Sequence, residues 1–74
     1  MKTANEILAE LRADADISQA ELGSRLGITQ RRISFLETGV TEPNLDDLRA
    51  YCRYFNVSSD YILGLVDQPR KLKP

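Results

Sequence analysis

The side chains of this chain that are best equipped to recognise a ligand lie in one short segment. They are the amide of Gln30, the guanidinium groups of Arg31 and Arg32, the hydroxyl of Ser34 and the aromatic ring of Phe35. Ile33 and Leu36, at the spacing of one side of a helix, supply the apolar edge of the segment. The five other side chains then have no core to face. Guanidinium, amide and hydroxyl groups form hydrogen bonds with base edges and phosphates, so a short helix that exposes them is chemically suited to DNA.

A second short helix and a tight turn are predicted directly before this segment. Ser18 is an N-cap, and Glu21 three residues later completes a capping box. Gly27 ends that helix in the left-handed conformation that glycine adopts at low cost, and Thr29 caps the next helix. Gly39 ends the next helix in the same way. The sequence thus predicts two helices joined by a tight turn, the second of which presents its side chains outward.

Caps and apolar periodicity predict a first and a fourth helix. Thr3 and Glu6 form a capping box before the first helix, which ends near residues 13–16. Asn44 caps the fourth helix, and Asn56 ends it in a left-handed conformation. The predicted apolar stripe of the fourth helix consists of Leu45, Leu48, Tyr51, Cys52 and Phe55.

A short fifth helix is predicted after the Ser58 cap, through Leu63, with Gly64 closing it. The sequence shows no strand alternation, so the predicted fold class is all-α, a compact bundle of five short helices. Residues 1–66 are predicted to form one helix-turn-helix domain. Residues 67–74 are polar and bracketed by prolines, which predicts a flexible tail.

Composition excludes several classes of protein. The chain has 74 residues, enough for one small core, with 42% hydrophobic and 28% charged residues. It has no histidine and one cysteine, Cys52, which leaves no metal site and no Cys–His catalytic pair. We therefore expect neither an enzyme nor a cofactor or small-molecule ligand. The lone cysteine and the lack of an apolar run of about 18 residues favour a cytoplasmic protein without a membrane span.

Positive charge is concentrated around the helix that faces outward. The net charge is -1, which by itself argues mildly against binding to nucleic acid. Between Leu22 and Leu36, however, there are three arginines and no acidic residue. Because an acidic remainder weakens non-specific binding to DNA, specific contacts gain importance.

Several of these residues, in their order and spacing, carry a resemblance to a known family. They are Ser18, Gln19, Leu22, Gly27, Ile33, Leu36, Glu37, Gly39, Pro43, Leu48, Val57, Ser58, Asp60, Tyr61, Ile62, Leu63 and Gly64. Over about residues 4–66 the chain is similar to the phage repressor and Cro family of helix-turn-helix DNA-binding domains, also called XRE-type regulators. The resemblance implies a lambda-repressor-like fold that binds DNA. Gly23 departs from the family, which commonly has alanine where helices two and three cross.

The resemblance also implies roles for individual residues. Gln19, at the start of helix two, matches the family glutamine that bonds a DNA phosphate and braces the recognition helix. Gln30 matches a glutamine that contacts a base. Arg31 and Phe35 fall on the other main base-facing positions, and Ser34 lies between them.

The chemistry of the base-facing side chains sharpens these expectations. Arg31 can donate two parallel hydrogen bonds to O6 and N7 of guanine. Gln30 is suited to adenine or to a phosphate, whereas Ser34 can pair with several bases. Phe35 either contacts a thymine methyl group or lies partly against helix one.

Other residues are expected to contact phosphate or to brace the fold. Arg25 and Arg32 are predicted to meet phosphates, with a solvated face as the alternative. Thr38 is a further candidate for a phosphate contact, with a simple helix-end position as its alternative. The resemblance implies an ion pair between Arg12 and Glu37 that links helix one to the end of helix three.

The C-terminal end of the predicted domain carries more apolar side chains than a domain of this size can bury. These are Tyr61, Ile62, Leu65 and Val66. We expect them to form a homodimer contact, with closure of the core as the alternative. A dimer would place its two recognition helices about 34 Å apart, one turn of DNA, on a palindromic operator.

The predicted function is sequence-specific binding of double-stranded DNA by a transcriptional regulator, a repressor in the simplest case. Helix three, at about residues 30–38, would read the major groove. Two alternatives stay open: an antitoxin-like or regulatory protein-interaction module, and the controller of a restriction-modification system. A DNA-independent partner would favour the first of these alternatives.

Overall fold

The computed structural model describes residues 2–67 and contains helices and connecting turns within that range. The helices are α1 (Ala4–Asp14), α2 (Gln19–Leu26), α3 (Gln30–Thr38), α4 (Leu45–Phe55) and α5 (Ser59–Ile62). The predicted all-α bundle of five short helices is therefore confirmed. Of the predicted tail, residues 68–74 lie outside the described residues, and Asp67 is exposed.

Every helix begins at the predicted cap. Five side chains accept a hydrogen bond from the backbone N–H three residues later: Thr3, Ser18, Thr29, Asn44 and Ser58. The predicted left-handed ends are also confirmed, since φ is 74° at Gly27, 82° at Gly39 and 55° at Asn56. Local sequence therefore determines where these helices start and stop.

Two details of capping differ from the prediction. At α2 the Ser18 side chain accepts its bond, but the Glu21 carboxylate accepts a bond from Arg25 Nη2 at 3.4 Å instead of completing a capping box. At α4 the box is complete, because Asp47 accepts a bond from the backbone N–H of Asn44 at 2.9 Å.

The core draws on all five helices. Its largest fully buried side chains are Leu8, Leu22, Ile33, Leu36, Tyr51 and Ile62. The prediction that Ile62 forms part of a dimer contact is wrong, because its side chain is 0% exposed and is used to close the core. The stripe predicted for α4 is wrong at its first position, since Leu45 is 70% exposed. Leu45 begins the helix, one turn before the part of α4 that meets the core.

Gly23 allows α2 to approach the start of α3 closely. A Cβ atom at this position would lie 2.7 Å from the backbone oxygen of Ile28, closer than such atoms normally come. The backbone N–H of Ile28 bonds the carbonyl oxygen of Gly23 at 2.9 Å. The turn before α3 is therefore packed directly on the glycine.

A buried asparagine attaches the far end of α3 to α1. The amide nitrogen of Asn5 donates to the carbonyl oxygen of Leu36 at 2.6 Å and to that of Thr41 at 3.0 Å. These bonds satisfy carbonyl groups at the end of a helix and in the loop after it, which would otherwise be buried without partners. Both ends of α3 are thus fixed to neighbouring elements.

Within the part of the chain that the structure describes, no helix has the length and apolar character needed to cross a lipid bilayer.

Candidate nucleic-acid interface

The outward side of α3 carries the four residues predicted to contact bases. Gln30 and Arg31 are exposed in the first turn, and Ser34 and Phe35 are partly exposed one turn later. The first turn of α3 contains no acidic residue. The structure therefore brings these four side chains together on one surface, with donors and a positive charge at its N-terminal end.

Arg31 and Phe35 form a contact with each other on this surface. The central guanidinium carbon of Arg31 lies over the ring of Phe35, 5.2 Å from its centroid. Phe35 is half-buried, but it is not among the partly buried apolar side chains that pack against the core. The contact of Phe35 with a thymine methyl group, and its alternative of lying partly against helix one, stay predictions.

A network of three polar side chains joins α1, α2 and α3 behind this surface. Arg12 donates to Glu37 through Nε at 2.6 Å and through Nη2 at 2.9 Å, and the Glu37 side chain is only 6% exposed. The Arg12–Glu37 pair implied by the resemblance is present, and its hydrogen bonds raise the pKa of Arg12. Arg12 Nη1 also donates to the carbonyl oxygen of Ile17 at 2.9 Å.

Gln19 joins the same network from the start of α2. Its amide nitrogen donates to Glu37 Oε1 at 3.1 Å. A side-chain amide nitrogen carries two hydrogens, so Gln19 keeps a second N–H after donating to Glu37. Gln19 can therefore brace the network and still donate to a phosphate oxygen.

Arg32 is held differently from the prediction. Its Nε and Nη2 atoms donate to the two carboxylate oxygens of Asp47 at 3.0 and 2.6 Å. The Asp47 side chain is only 3% exposed, and the pair ties the first turn of α3 to the first turn of α4. A phosphate contact by Arg32 would have to compete with this bidentate pair, so the prediction of such a contact is not supported.

Burial and hydrogen bonding shift the pKa of Asp47 in opposite directions. Burial alone raises the pKa of a carboxyl group, but hydrogen bonds from Arg32 and from the backbone N–H of Asn44 outweigh it. The pKa of Asp47 therefore lies below its ordinary value. The same pair raises the pKa of Arg32. The ionised form of Asp47 is part of the folded structure.

Two other predicted phosphate contacts have partners within the protein. Arg25 donates to the hydroxyl oxygen of Tyr54 at 3.2 Å, and its side chain is still half exposed. The hydroxyl group of Thr38 donates to the carbonyl oxygen of Ser34 at 2.8 Å. Because a phosphate oxygen can only accept, Thr38 would have to break this bond to donate to one. That requirement weakens the prediction for Thr38 more than the one for Arg25.

Sequence reasoning missed the structural roles of Asn5 and Asp47. The role of Asp47 had a signal, because an acidic residue three positions after an N-cap fits the capping-box pattern. Asn5 offered no such signal, since its partners Leu36 and Thr41 lie more than 30 positions away in the chain. Cys52 lies in the core as predicted, and burial raises the pKa of its thiol. Among the described residues no group of three or more His, Cys, Asp or Glu side chains is placed to hold a metal ion.

The fold and the surface on α3 define a class of protein, and comparison with known proteins identifies it. Residues 8–62 match the family described as helix-turn-helix, so this chain belongs to that family. The DNA-binding domain of the P22 c2 repressor, solved in solution, is similar in structure, with a TM-score of 0.77 and 34% identity over 84% of this chain and 82% of that one. The P22 c2 repressor in complex with a synthetic operator matches with a TM-score of 0.79 and 33% identity, over 85% of this chain and 96% of that one.

Three curated relatives carry the names of transcriptional regulators. The HTH-type regulator YobD of Bacillus subtilis (strain 168) is 36% identical over 84% of this chain and 55% of its own length. The HTH-type activator BcrR of Enterococcus faecalis is 32% identical over 81% of this chain and 29% of its own length. ImmR of Bacillus subtilis (strain 168) is 33% identical over 86% of this chain and 50% of its own length. The matched part thus spans about half of these relatives or less.

Proposed function

We propose that this helix-turn-helix domain binds double-stranded DNA at specific sequences and regulates transcription as a repressor. The observation that carries the proposal is the exposed surface on α3, where Gln30, Arg31, Ser34 and Phe35 lie together. The similarity to a repressor solved in complex with an operator supports the same conclusion. Such a regulator acts where the DNA is, in the cytoplasm, and it binds its ligand without chemical turnover.

In the proposed complex, the first turn of α3 enters the major groove and α2 lies across the sugar-phosphate backbone. Arg31 donates to guanine, and Gln30 and Ser34 contact neighbouring base edges or phosphates. Gln19 donates its second amide N–H to a phosphate, and Arg25 adds positive charge at the side of the groove. The bonds that fix both ends of α3 reduce the entropy lost when these side chains are ordered on DNA.

To test this proposal, the whole chain is first used to select the DNA duplexes that it binds from a pool of random sequences. Affinities of the wild type and of Arg31→Ala are then measured for the selected site and for random duplex. We expect Arg31→Ala to weaken binding to the selected site by about 1–3 kcal/mol, because a bidentate contact to guanine is lost. Binding to random duplex should fall much less.

Arg49→Ala is the matched control, since it also removes one positive charge but from the exposed side of α4. It should leave the ratio of specific to random binding unchanged. Equal losses for Arg31→Ala on both duplexes would mean that Arg31 contacts only phosphate. A pool that returns no motif would overturn the proposed function itself.

We further propose that the domain binds a palindromic operator as a homodimer. The contact would be formed by Tyr61, Leu65 and Val66, without the buried Ile62. Tyr61 and Val66 border the same surface pocket, and Leu65 is 71% exposed. Exposed apolar side chains at the end of a small domain lose contact with water when two copies pair.

Truncation of Leu65 tests the dimer. We expect Leu65→Ala to weaken binding to a two-fold symmetric operator by roughly tenfold or more, because burial of a leucine side chain contributes about 1.5–3 kcal/mol. Binding to an isolated half-site should not change. Leu45→Ala removes a similarly exposed leucine from α4 and is the control. If the two variants behave alike on the full operator, the contact lies elsewhere or the domain binds as a monomer.

A further inference from the structure

Arg31 and Phe35 contact each other on the outward side of α3. The residues are one turn apart on α3, and the Arg31 guanidinium lies over the face of the Phe35 ring, 5.2 Å from its centroid. This distance is within the range of a cation–π interaction. A guanidinium group carries its N–H donors in its own plane, so a ring that contacts one face of the group does not use these donors.

Four other arginines of the domain differ from Arg31 in being ion-paired. Arg12, Arg25, Arg32 and Arg49 each pair with a carboxylate. Arg31 forms no such ion pair with any residue that the structure describes, and its ring contact is with Phe35. Its orientation is therefore set by an apolar surface that leaves the N–H donors available to acceptor atoms of a ligand.

Part of the Phe35 side chain is exposed to solvent. It is half-buried, and it lies beside Arg31 on the same surface of α3. In the major groove an apolar ring edge matches the C5-methyl group of thymine. Neighbouring bases on a strand are about 3.4 Å apart, so two side chains in contact with each other can reach adjacent base pairs.

We propose that Arg31 and Phe35 act as one unit that recognises a guanine next to a pyrimidine with a C5-methyl group. The guanine accepts both bonds from Arg31, and the methyl group packs against Phe35, whose ring also orients Arg31. Thymine satisfies the requirement, and 5-methylcytosine presents the same methyl group, so binding would respond to methylation of cytosine at that position. This inference rests on the proposed DNA binding and names the feature of the operator that α3 reads.

The test uses base analogues in the operator selected with the whole chain, with affinity measured by fluorescence anisotropy. Deoxyuridine in place of the thymine removes only the methyl group. We expect it to weaken wild-type binding roughly fourfold per half-site, the factor for loss of one buried methyl-sized group. At the same position, 5-methylcytosine should bind better than cytosine by a similar factor. A 7-deazaguanine, which lacks N7, should weaken binding by roughly fivefold or more.

Phe35→Ala should abolish the methyl effect and reduce the 7-deazaguanine effect, because the ring that orients Arg31 is gone. Phe35→Leu, which keeps an apolar side chain, should retain part of the methyl effect and still reduce the 7-deazaguanine effect. Tyr54→Ala is the matched control, since it removes an aromatic ring that contacts another arginine, Arg25, at 5.9 Å. It should leave both analogue effects unchanged.

Two results would overturn the inference while leaving the proposed function intact. One is a selected motif that contains no guanine next to a thymine. The other is a methyl effect of equal size in wild type and Phe35→Ala, which would assign the methyl contact to another residue. Failure to recover any motif would instead contradict DNA recognition as a whole.

Discussion

Arginine side chains in this domain differ in what they are bonded to, and this decides what each can do. Arg12 and Arg32 both form bidentate pairs with carboxylates that are almost fully buried, at Glu37 and Asp47. The two arginines are themselves 21% and 34% exposed, so we expect the loss of a carboxylate partner to cost about 1–3 kcal/mol, the range for a lost hydrogen bond to a charged group. These two arginines therefore support the fold. Arg31 lies over an aromatic ring instead, and it is the arginine that we propose to contact bases.

The hydroxyl group of Tyr51 is expected to lower the stability of the fold. Its hydroxyl group is fully buried and has no hydrogen-bond partner among the described residues. Burial and the nearby carboxylate of Glu37 raise the pKa of this hydroxyl, so it stays neutral in the folded domain. We expect Tyr51→Phe to raise the free energy of unfolding by about 1 kcal/mol, since an unsatisfied buried hydroxyl costs about 1–3 kcal/mol.

Urea denaturation with circular dichroism measures this change, with Tyr54→Phe on the surface of α4 as the control. Tyr54 is partly exposed and its hydroxyl is bonded to Arg25, so its loss should lower stability slightly. Lower stability of Tyr51→Phe would show that the Tyr51 hydroxyl is hydrogen-bonded in solution.

At the scale of elements, α3 is held by each of its neighbours. The Arg12–Glu37 pair and the bonds from Asn5 attach it to α1, and the Arg32–Asp47 pair attaches it to α4. On the remaining side, the turn after α2 packs on Gly23. A helix fixed in this way presents its outward side chains in one orientation, which favours specific recognition because little order has to be gained on binding.

Substitution of Gly23 by alanine tests the contact between α2 and the turn. Alanine favours a helix by about 1 kcal/mol relative to glycine. Here, however, its Cβ would lie 2.7 Å from the backbone oxygen of Ile28, and overpacking of this kind typically costs about 1–3 kcal/mol. We expect the second effect to prevail, so Gly23→Ala should lower the midpoint of thermal unfolding.

Ala20→Gly on the exposed side of α2 is a useful comparison, because there only helix propensity changes. It should lower stability by about 1 kcal/mol. A Gly23→Ala variant more stable than wild type would show that the turn can shift at little cost.

At the scale of the whole molecule, charge is distributed unevenly around a nearly neutral total. The net charge is -1, yet α3 carries two arginines on its first turn and no acid there. The acidic first turn of α4 is partly neutralised, because Asp47 is paired with Arg32. In the proposed complex, attraction to DNA would therefore come from the surface on α3 and from Arg25 beside it, and not from the net charge of the domain.

The stability of the folded domain should depend on the ionisation of Asp47. The pKa of Asp47 is lowered in the folded state, so its contribution is complete above the ordinary pKa of about 4 and is lost as the pH falls through the lower folded value. Asp47→Asn should lower the free energy of unfolding by about 1–3 kcal/mol at pH 7. The difference from wild type should shrink below about pH 4.

Denaturant unfolding between neutral and acidic pH measures this, with Asp46→Asn as the control at a carboxylate that is 91% exposed on the same turn. The control should change the stability at pH 7 only slightly. A difference between wild type and Asp47→Asn that stays constant down to pH 3 would contradict the assigned role of the ionised pair.

The start and end of each helix, and the site on α3, could be predicted because they depend on nearby residues. A cap such as Thr29 acts on a backbone N–H three residues away, and Gly27 or Asn56 ends a helix through its own backbone angles. The apolar spacing of Ile33 and Leu36 fixes the inner side of α3, and this leaves the outer side to Gln30 and Arg31. These interactions require no knowledge of distant segments.

The pairing and burial of individual side chains depend on contacts between helices that are far apart in the chain. Arg32 and Asp47 are 15 positions apart, and Asn5 and Leu36 are 31 apart, so local patterns carry no record of their contacts. The same holds for the C-terminal end, where α5 has four residues and is too short for its apolar period to separate Ile62, which is buried, from Leu65, which is exposed. The sequence by itself therefore determined the helices and the outward side of α3. Packing between helices determined which of the arginines are ion-paired and which are not, because burial and pairing depend on neighbours that are distant along the chain.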